Sequence, residues 1–242
     1  MICVHICESR ENLGFVAARM VAARIKDLLY EKDFVNIMFA AAPSQNEFLA
    51  RLKSEPVDWS RVRAFHMDEY IGLPKDSEKS FASYLKTRLS NYLPALKTFY
   101  IDDQNGNSEC SRYGELLDEF PTDITCMGIG ENNHLAFNDP PVANFDDPEK
   151  VKVVDLDIAC RQQQINDGCF QSIDQVPKQA ITVTIPLLTS SSFIFCMVPG
   201  QRKAKAVFET IYGHVSEAYP STILQKTGRV ELFLDKESSS LL

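Results

Sequence analysis

No stretch of this 242-residue chain is apolar for long enough to cross a bilayer; the longest runs, such as residues 193–198, fall far short of the roughly 20 residues a spanning helix needs. Basic excess is missing too. A net charge of −8 leaves no stripe for nucleic acid or an anionic membrane surface, although a few local donors suffice to capture one phosphate. The seven cysteines (Cys3, Cys7, Cys110, Cys126, Cys160, Cys169 and Cys196) form no CxxC pair and stand at no His/Cys spacing that suits zinc. Several lie inside apolar runs, where cysteine acts as a small hydrophobe, so reduced thiols in a cytoplasmic protein are expected and no metal is. Glu8, Arg10 and Glu11 interrupt the apolar segments of the first 30 residues, a pattern that does not resemble a signal peptide. Repeats and low-complexity linkers are absent, which favours one domain over residues 1–242.

What is present is an ordinary globular composition, 45% hydrophobic and 24% charged, enough to bury a substantial core. Val16, Met20, Val21, Ile25, Leu28 and Leu29 recur at helical spacing. Helices are also expected over residues 46–52, 81–89 and 111–120. Residues 35–41, 62–67, 124–128, 181–185, 193–198 and 230–234 read as about six strands. Their alternation with helices predicts an α/β protein, a three-layer α/β/α sandwich around a mostly parallel sheet. Ligands collect at the carboxyl ends of such strands. Three of those ends carry unusual polar residues.

The first is the loop of residues 128–140. Two glycines, Gly128 and Gly130, follow the apolar run and allow a sharp turn, and Asn132, Asn133 and Asp139 surround His134. An imidazole set among such groups is poised to titrate near neutral pH. The second is Asp68-Glu69, just after a strand, where a carboxylate shielded from water can serve as a general base. Adjacent residues of extended chain point to opposite sides, so only one of the pair faces a substrate and the other makes structural hydrogen bonds. The third is Ala41-Ala42-Pro43-Ser44, where small residues permit close backbone approach and Ser44 caps a helix or donates to a phosphate. Lys203, in Gly200-Gln201-Arg202-Lys203, sits at a helix start, an unfavourable place for a cation toward the macrodipole, so it serves either a bound anion or a solvated face. Arg161 with Gln162, Gln163 and Gln164 is a donor-rich run, either a reach toward a sugar phosphate or plain surface.

Phe65-His66-Met67-Asp68-Glu69-Tyr70-Ile71-Gly72-Leu73-Pro74, the loop of residues 130–140, Val176-Pro177-Lys178 with its following Ala180-Ile181-Thr182-Val183, and Gly200 with Lys203 together resemble the glucosamine-6-phosphate deaminase/isomerase family, which shares its fold with 6-phosphogluconolactonases. The resemblance runs over nearly the whole chain. It implies an enzyme that converts a hexosamine 6-phosphate and water into a ketose 6-phosphate and ammonia, without cofactor or metal. By motif, Asp68 would move a proton between C2 and C1, and His134 would assist opening of the pyranose ring. Ala41, Ala42, Ser44 and Lys203 would hold the phosphate.

The chain departs from the family pattern at several points. Asn132 replaces an aspartate, Asn133 a glycine and Asp139 a glutamate; Pro43 removes an amide donor from the phosphate loop. The family's phosphate arginine has no counterpart near Asp167-Gly168, which makes Arg161 the candidate substitute. An amide at 132 can orient the ring but cannot stabilise an imidazolium by charge, so altered substrate or ring-opening chemistry is expected, with galactosamine 6-phosphate a plausible alternative to glucosamine 6-phosphate. The other readings are a sugar-phosphate lactonase and a degenerate sugar-phosphate binder. A small-molecule sugar phosphate is the expected partner in each case; whether the chain is a monomer or a homo-oligomer is left open.

Overall fold

The computed structural model describes residues 2–242. In chain order the elements are β1 (Ile2–Ile6), α1 (Arg10–Glu31), β2 (Val35–Phe39), α2 (Asn46–Leu52), β3 (Val62–His66), β4 (Asp68–Ile71), α3 (Phe81–Arg88), β5 (Lys97–Thr98), α4 (Gly106–Glu119), β6 (Ile124–Met127), β7 (Val151–Asp155), α5 (Ile158–Asn166), β8 (Gln179–Val183), α6 (Ile185–Leu188), β9 (Phe193–Val198), α7 (Ala204–Tyr212) and β10 (Arg229–Leu234). Seven strands form one sheet in the order β1-β10-β9-β6-β2-β3-β5, parallel throughout. No helix among the described residues is long and apolar enough to cross a membrane.

Helical cover on both sides explains why the central strands are apolar at successive positions. Val35, Ile37 and Phe39 of β2 join one buried cluster with Leu13, Ala17, Ala18, Val21 and Ile25 of α1. Met38, pointing the other way, joins a second cluster with Tyr113 and Leu117 of α4 and Val207 of α7. The result is the expected α/β/α sandwich. Small residues set the approach of α1 to α2: a Cβ on Gly14 would lie 2.6 Å from Glu47 Cβ.

The expected strand near residues 181–185 is real but belongs elsewhere. It is β8, the middle of a separate three-stranded antiparallel sheet, β4-β8-β7. Chain leaves the main sheet at Met67, whose carbonyl accepts from Val183 N at 2.8 Å, and enters β4 at Asp68. The acidic pair therefore sits at the junction of two sheets. β1, β5 and β7 were not legible as strands; β1 lies at the edge of the main sheet and is half exposed, so it carries no continuous apolar run.

Candidate active site

The main chain runs outward from β2 to β3 and β5, then returns to β6 on the other side of β2. This reversal opens a crevice beyond the carboxyl ends of the strands, the usual ligand position in such sheets. The loops after β2, β3, β6 and β9 line a cavity of ≈ 480 Å³ there, which brings together Ala41, Ala42, Ser44, Asp68, His134 and Lys203.

Asp68 and Glu69 divide their tasks by direction. Glu69 turns away from the cavity and accepts three backbone N–H groups, from Tyr70 at 2.9 Å, Phe81 at 3.0 Å and Ala82 at 2.8 Å, tying β4 to the start of α3. Burial nonetheless pushes its carboxyl up to about 7 against those donors. Asp68 lines the cavity, is only 7% exposed, and its carboxylate makes no hydrogen bond or ion pair among the described residues. Burial, with the neighbouring Glu69 charge, raises its pKa well above the ordinary carboxylate value. His66, one strand position before Met67, is structural: its Nε2 accepts from Ile101 N at 2.9 Å, and burial lowers its pKa to about 4.

The loop after β6 holds His134 from behind. His134 Nδ1 lies 2.6 Å from Asn132 Oδ1 and 3.0 Å from Asp139 Oδ1, while Asn132 Nδ2 donates to that same carboxylate oxygen at 2.9 Å. With two oxygens facing it, Nδ1 carries the proton, and Nε2 is left as an acceptor without a partner among the described residues. Burial alone would raise the Asp139 pKa, but the His134 ring, the Asn132 amide and the Cys160 thiol outweigh it and hold the group below the usual carboxylate value. The charge support expected to be weakened by Asn132 is thus supplied by Asp139 in direct contact with the ring, despite its shorter side chain.

Asn133 does a different job. Its backbone is left-handed, with φ 69°, a conformation asparagine tolerates. Its buried amide donates to Ala206 O at 2.9 Å and Ser221 Oγ at 2.8 Å, pinning the loop to α7. Asn138 pins the other end to β8 through Val183 O at 2.9 Å.

Gly130 is glycine for space. Its φ is not among the positive ones, yet a Cβ there would stand 2.2–2.4 Å from three atoms of the His134 ring. Gly130→Ala is therefore expected to fold but to tilt the imidazole, lowering kcat roughly 10²-fold, the scale of an ångström-level misplacement. Steady-state kinetics beside a thermal melt checks this; an unchanged kcat refutes the close-packing argument.

Also on the cavity wall, Ser44 lies in a 3₁₀ turn (Pro43–Gln45), its Oγ accepting from Gln45 Nε2 at 3.0 Å. Lys203 closes another 3₁₀ turn (Gln201–Lys203) and is 8% exposed. Burial lowers its pKa, and its ammonium has no hydrogen bond or ion pair among the described residues. An unpaired, largely buried cation is costly unless an anion joins it.

Arg161 is a correction. Its guanidinium is spent on the carbonyls of Ile173 at 2.5 Å and Val176 at 3.0 Å, and it does not line the cavity. The cations that do, besides Lys203, are Arg10, Lys79 and Arg88. Tyr84 and Arg88 were missed although four residues apart on one helix face; Tyr84 Oη donates to Ala42 O at 2.6 Å and holds the Ser44 loop. Arg10 pairs with Glu47 at 2.8 Å and donates to Pro43 O.

His134, Asp139 and Cys160 bring ligand-capable atoms within 4.8 Å of one another. The first two already bond each other and Asn132, so the trio serves as support for the ring.

Residues 8–233 match the family model described as glucosamine-6-phosphate isomerases/6-phosphogluconolactonase. A glucosamine-6-phosphate deaminase of Clostridium botulinum (strain Eklund 17B / Type B) is 32% identical over 246 aligned positions, covering 99% of this chain and 96% of that protein. Glucosamine-6-phosphate deaminase 1 of Bacillus subtilis is 32% identical, with 97% of each chain covered. Among solved structures, a monomeric glucosamine-6-phosphate deaminase superposes with a TM-score of 0.89 at 32% identity over 99% of both chains. The 6-phosphogluconolactonase of Trypanosoma brucei shares the fold, with a TM-score of 0.82 at 17% identity over 100% of this chain and 99% of that one.

Proposed function

The chain belongs to the glucosamine-6-phosphate isomerase/6-phosphogluconolactonase family, and we propose that within it the protein is a hexosamine-6-phosphate deaminase, acting on glucosamine or galactosamine 6-phosphate. The observation that carries this reading is a pairing across one cavity. An unpartnered carboxylate of raised pKa, Asp68, shares the space with an imidazole whose Nδ1 is anchored by Asp139, and Lys203 waits unpaired at the anion end. Lactone hydrolysis would have no evident use for a buried carboxylate that makes no hydrogen bond.

The steps follow from these groups. With the phosphate on Lys203 and Ser44, His134 Nε2 carries a proton between the anomeric hydroxyl and the ring oxygen, which opens the pyranose to an aldehyde at C1. Asp139 offsets the positive charge that forms on the imidazole meanwhile. Asp68 then takes the proton from C2, which the adjacent aldehyde acidifies, giving an enolamine, and returns it to C1. The resulting C2 imine adds water and expels ammonia, leaving the ketose 6-phosphate. A raised pKa suits Asp68 to both directions of transfer, because it narrows the gap between carboxylate base and carbon acid. No cofactor is required by this sequence of proton transfers.

Purified protein should release ammonia and ketose 6-phosphate in equal amounts from glucosamine or galactosamine 6-phosphate. Ammonia absent with both sugars would sink the proposal, and hydrolysis of a 6-phosphosugar lactone instead would establish the lactonase reading.

A further inference from the structure

Gln163 and Gln164 of α5 both line the cavity and both are buried, but only the first is used to hold the protein together. Gln163 Oε1 accepts from Glu131 N at 2.7 Å, and its Nε2 reaches Asp167 Oδ2 at 3.4 Å, so this side chain braces the histidine loop against α5. Gln164 is 8% exposed, and among the described residues its amide has no hydrogen-bond partner. Its amide atoms are not among the fully buried unsatisfied ones, so they stay open to whatever fills the cavity, and a ligand that displaces water there must replace its hydrogen bonds. Gln164 lines the cavity, which is where a ligand reaches it.

The chemistry of the group narrows what it meets there. An amide offers an acceptor and two donors side by side and carries no charge. An anion is already served by Lys203, and Asp167, which lies near enough to act on that ammonium and also lines the cavity, disfavours a second anion beside α5. A pair of adjacent hydroxyls, one donating to the carbonyl oxygen and one accepting from the NH₂, is the complement that satisfies both halves at once. We propose that Gln164 is a specificity-determining residue that reads neighbouring hydroxyls of the sugar, resting on the sugar-phosphate reading above. A few such placed polar groups are what orient a ligand in a pocket. A site built to bond a hydroxyl rejects the analogue lacking it, because its own polar group is then left unpaired.

The test compares the preferred hexosamine 6-phosphate with its 3-deoxy and 4-deoxy analogues on the wild type and on Gln164→Met, which keeps the length and removes the polar atoms. The wild type should disfavour one or both deoxy sugars in kcat/KM by roughly 10- to 100-fold, and Gln164→Met should lose that discrimination by becoming poor on the parent sugar. An equal loss on parent and deoxy sugars overturns the proposal, as does a Gln164→Met effect reproduced with inorganic phosphate as the only ligand. Ammonia release by the wild type separately tests the underlying reading. Should it be absent, the same ratios are taken from calorimetric Kd values for the matching hexose 6-phosphates, and ratios unchanged by the substitution again overturn the role of Gln164.

Discussion

Asp68→Asn is expected to lower the rate of ammonia release by roughly 10²- to 10⁴-fold with little change in KM, the range a positioned general base supplies. Asparagine has the same shape, so the cavity stays as it is; only the group proposed to accept the C2 proton is lost. A second readout distinguishes this from damage to the fold. Burial raises the Asp68 pKa, with the Glu69 charge adding to it, so the ionised side chain is better accommodated in the unfolded chain than in the folded one. Below the unfolded value of about 3.9 both states hold the proton, and wild type and variant should melt alike. As pH rises through that value the unfolded wild type ionises first, and wild-type stability falls relative to the variant. The difference becomes complete above the raised native pKa. The inactive variant should therefore be the more thermostable protein at neutral pH, as when a functional group is kept at the expense of stability. A variant both inactive and less stable at pH 7 would argue that Asp68 is a structural carboxylate.

Asp139→Asn carries the second large effect, and its pH signature is the reverse. Asp139 is the only carboxylate in hydrogen-bonding contact with the His134 ring among the described residues, at 3.0 Å from Nδ1. An amide there can still orient the ring, as Asn132 does, but the two together leave the imidazolium without a charge partner. Activity should drop roughly 10²- to 10⁴-fold, the scale on which a buried partner of a catalytic histidine matters. The ring and amide contacts hold the folded pKa of Asp139 below its ordinary value. Its stabilising contribution is thus present above the unfolded pKa and lost as pH falls through the folded one. Asp139→Asn should melt earlier than wild type at neutral pH and converge with it in acid. Asn132→Asp, by contrast, should stay active, since it adds a charge beside one already present. Full activity in Asp139→Asn would show that Asn132 alone suffices.

These two expectations also mark the limit of what could be read from residues in order. An unbroken apolar run located β9 and a helical stretch after the Pro-Ser turn located α2, both at their observed bounds, because a strand buried on both faces and a helix with one buried face leave dense local signals. Opposed directions for Asp68 and Glu69 followed from strand geometry alone, and the Glu69 contacts match it. Nothing local announces β7 or the antiparallel sheet it completes, since pairing of β7, β8 and β4 joins segments far apart in sequence. Arg161 looked like a phosphate ligand from its charge and neighbours. Its orientation is set by the carbonyls of Ile173 and Val176, which only folding brings within reach. Tyr84, Arg88 and Gln164 entered the cavity wall for the same reason.

By itself, then, the sequence determined the alternation of elements, the layered architecture and the polar loops at strand ends, all of which depend on residue type and short spacing. Tertiary structure decided which carboxylate supports His134, which glutamine is left unpartnered and which cations face the cavity. Those outcomes depend on contacts of about 3 Å, within one loop for Asp139 and His134 and between distant segments for the cavity wall, where a side chain's direction, rather than its identity, selects its partner.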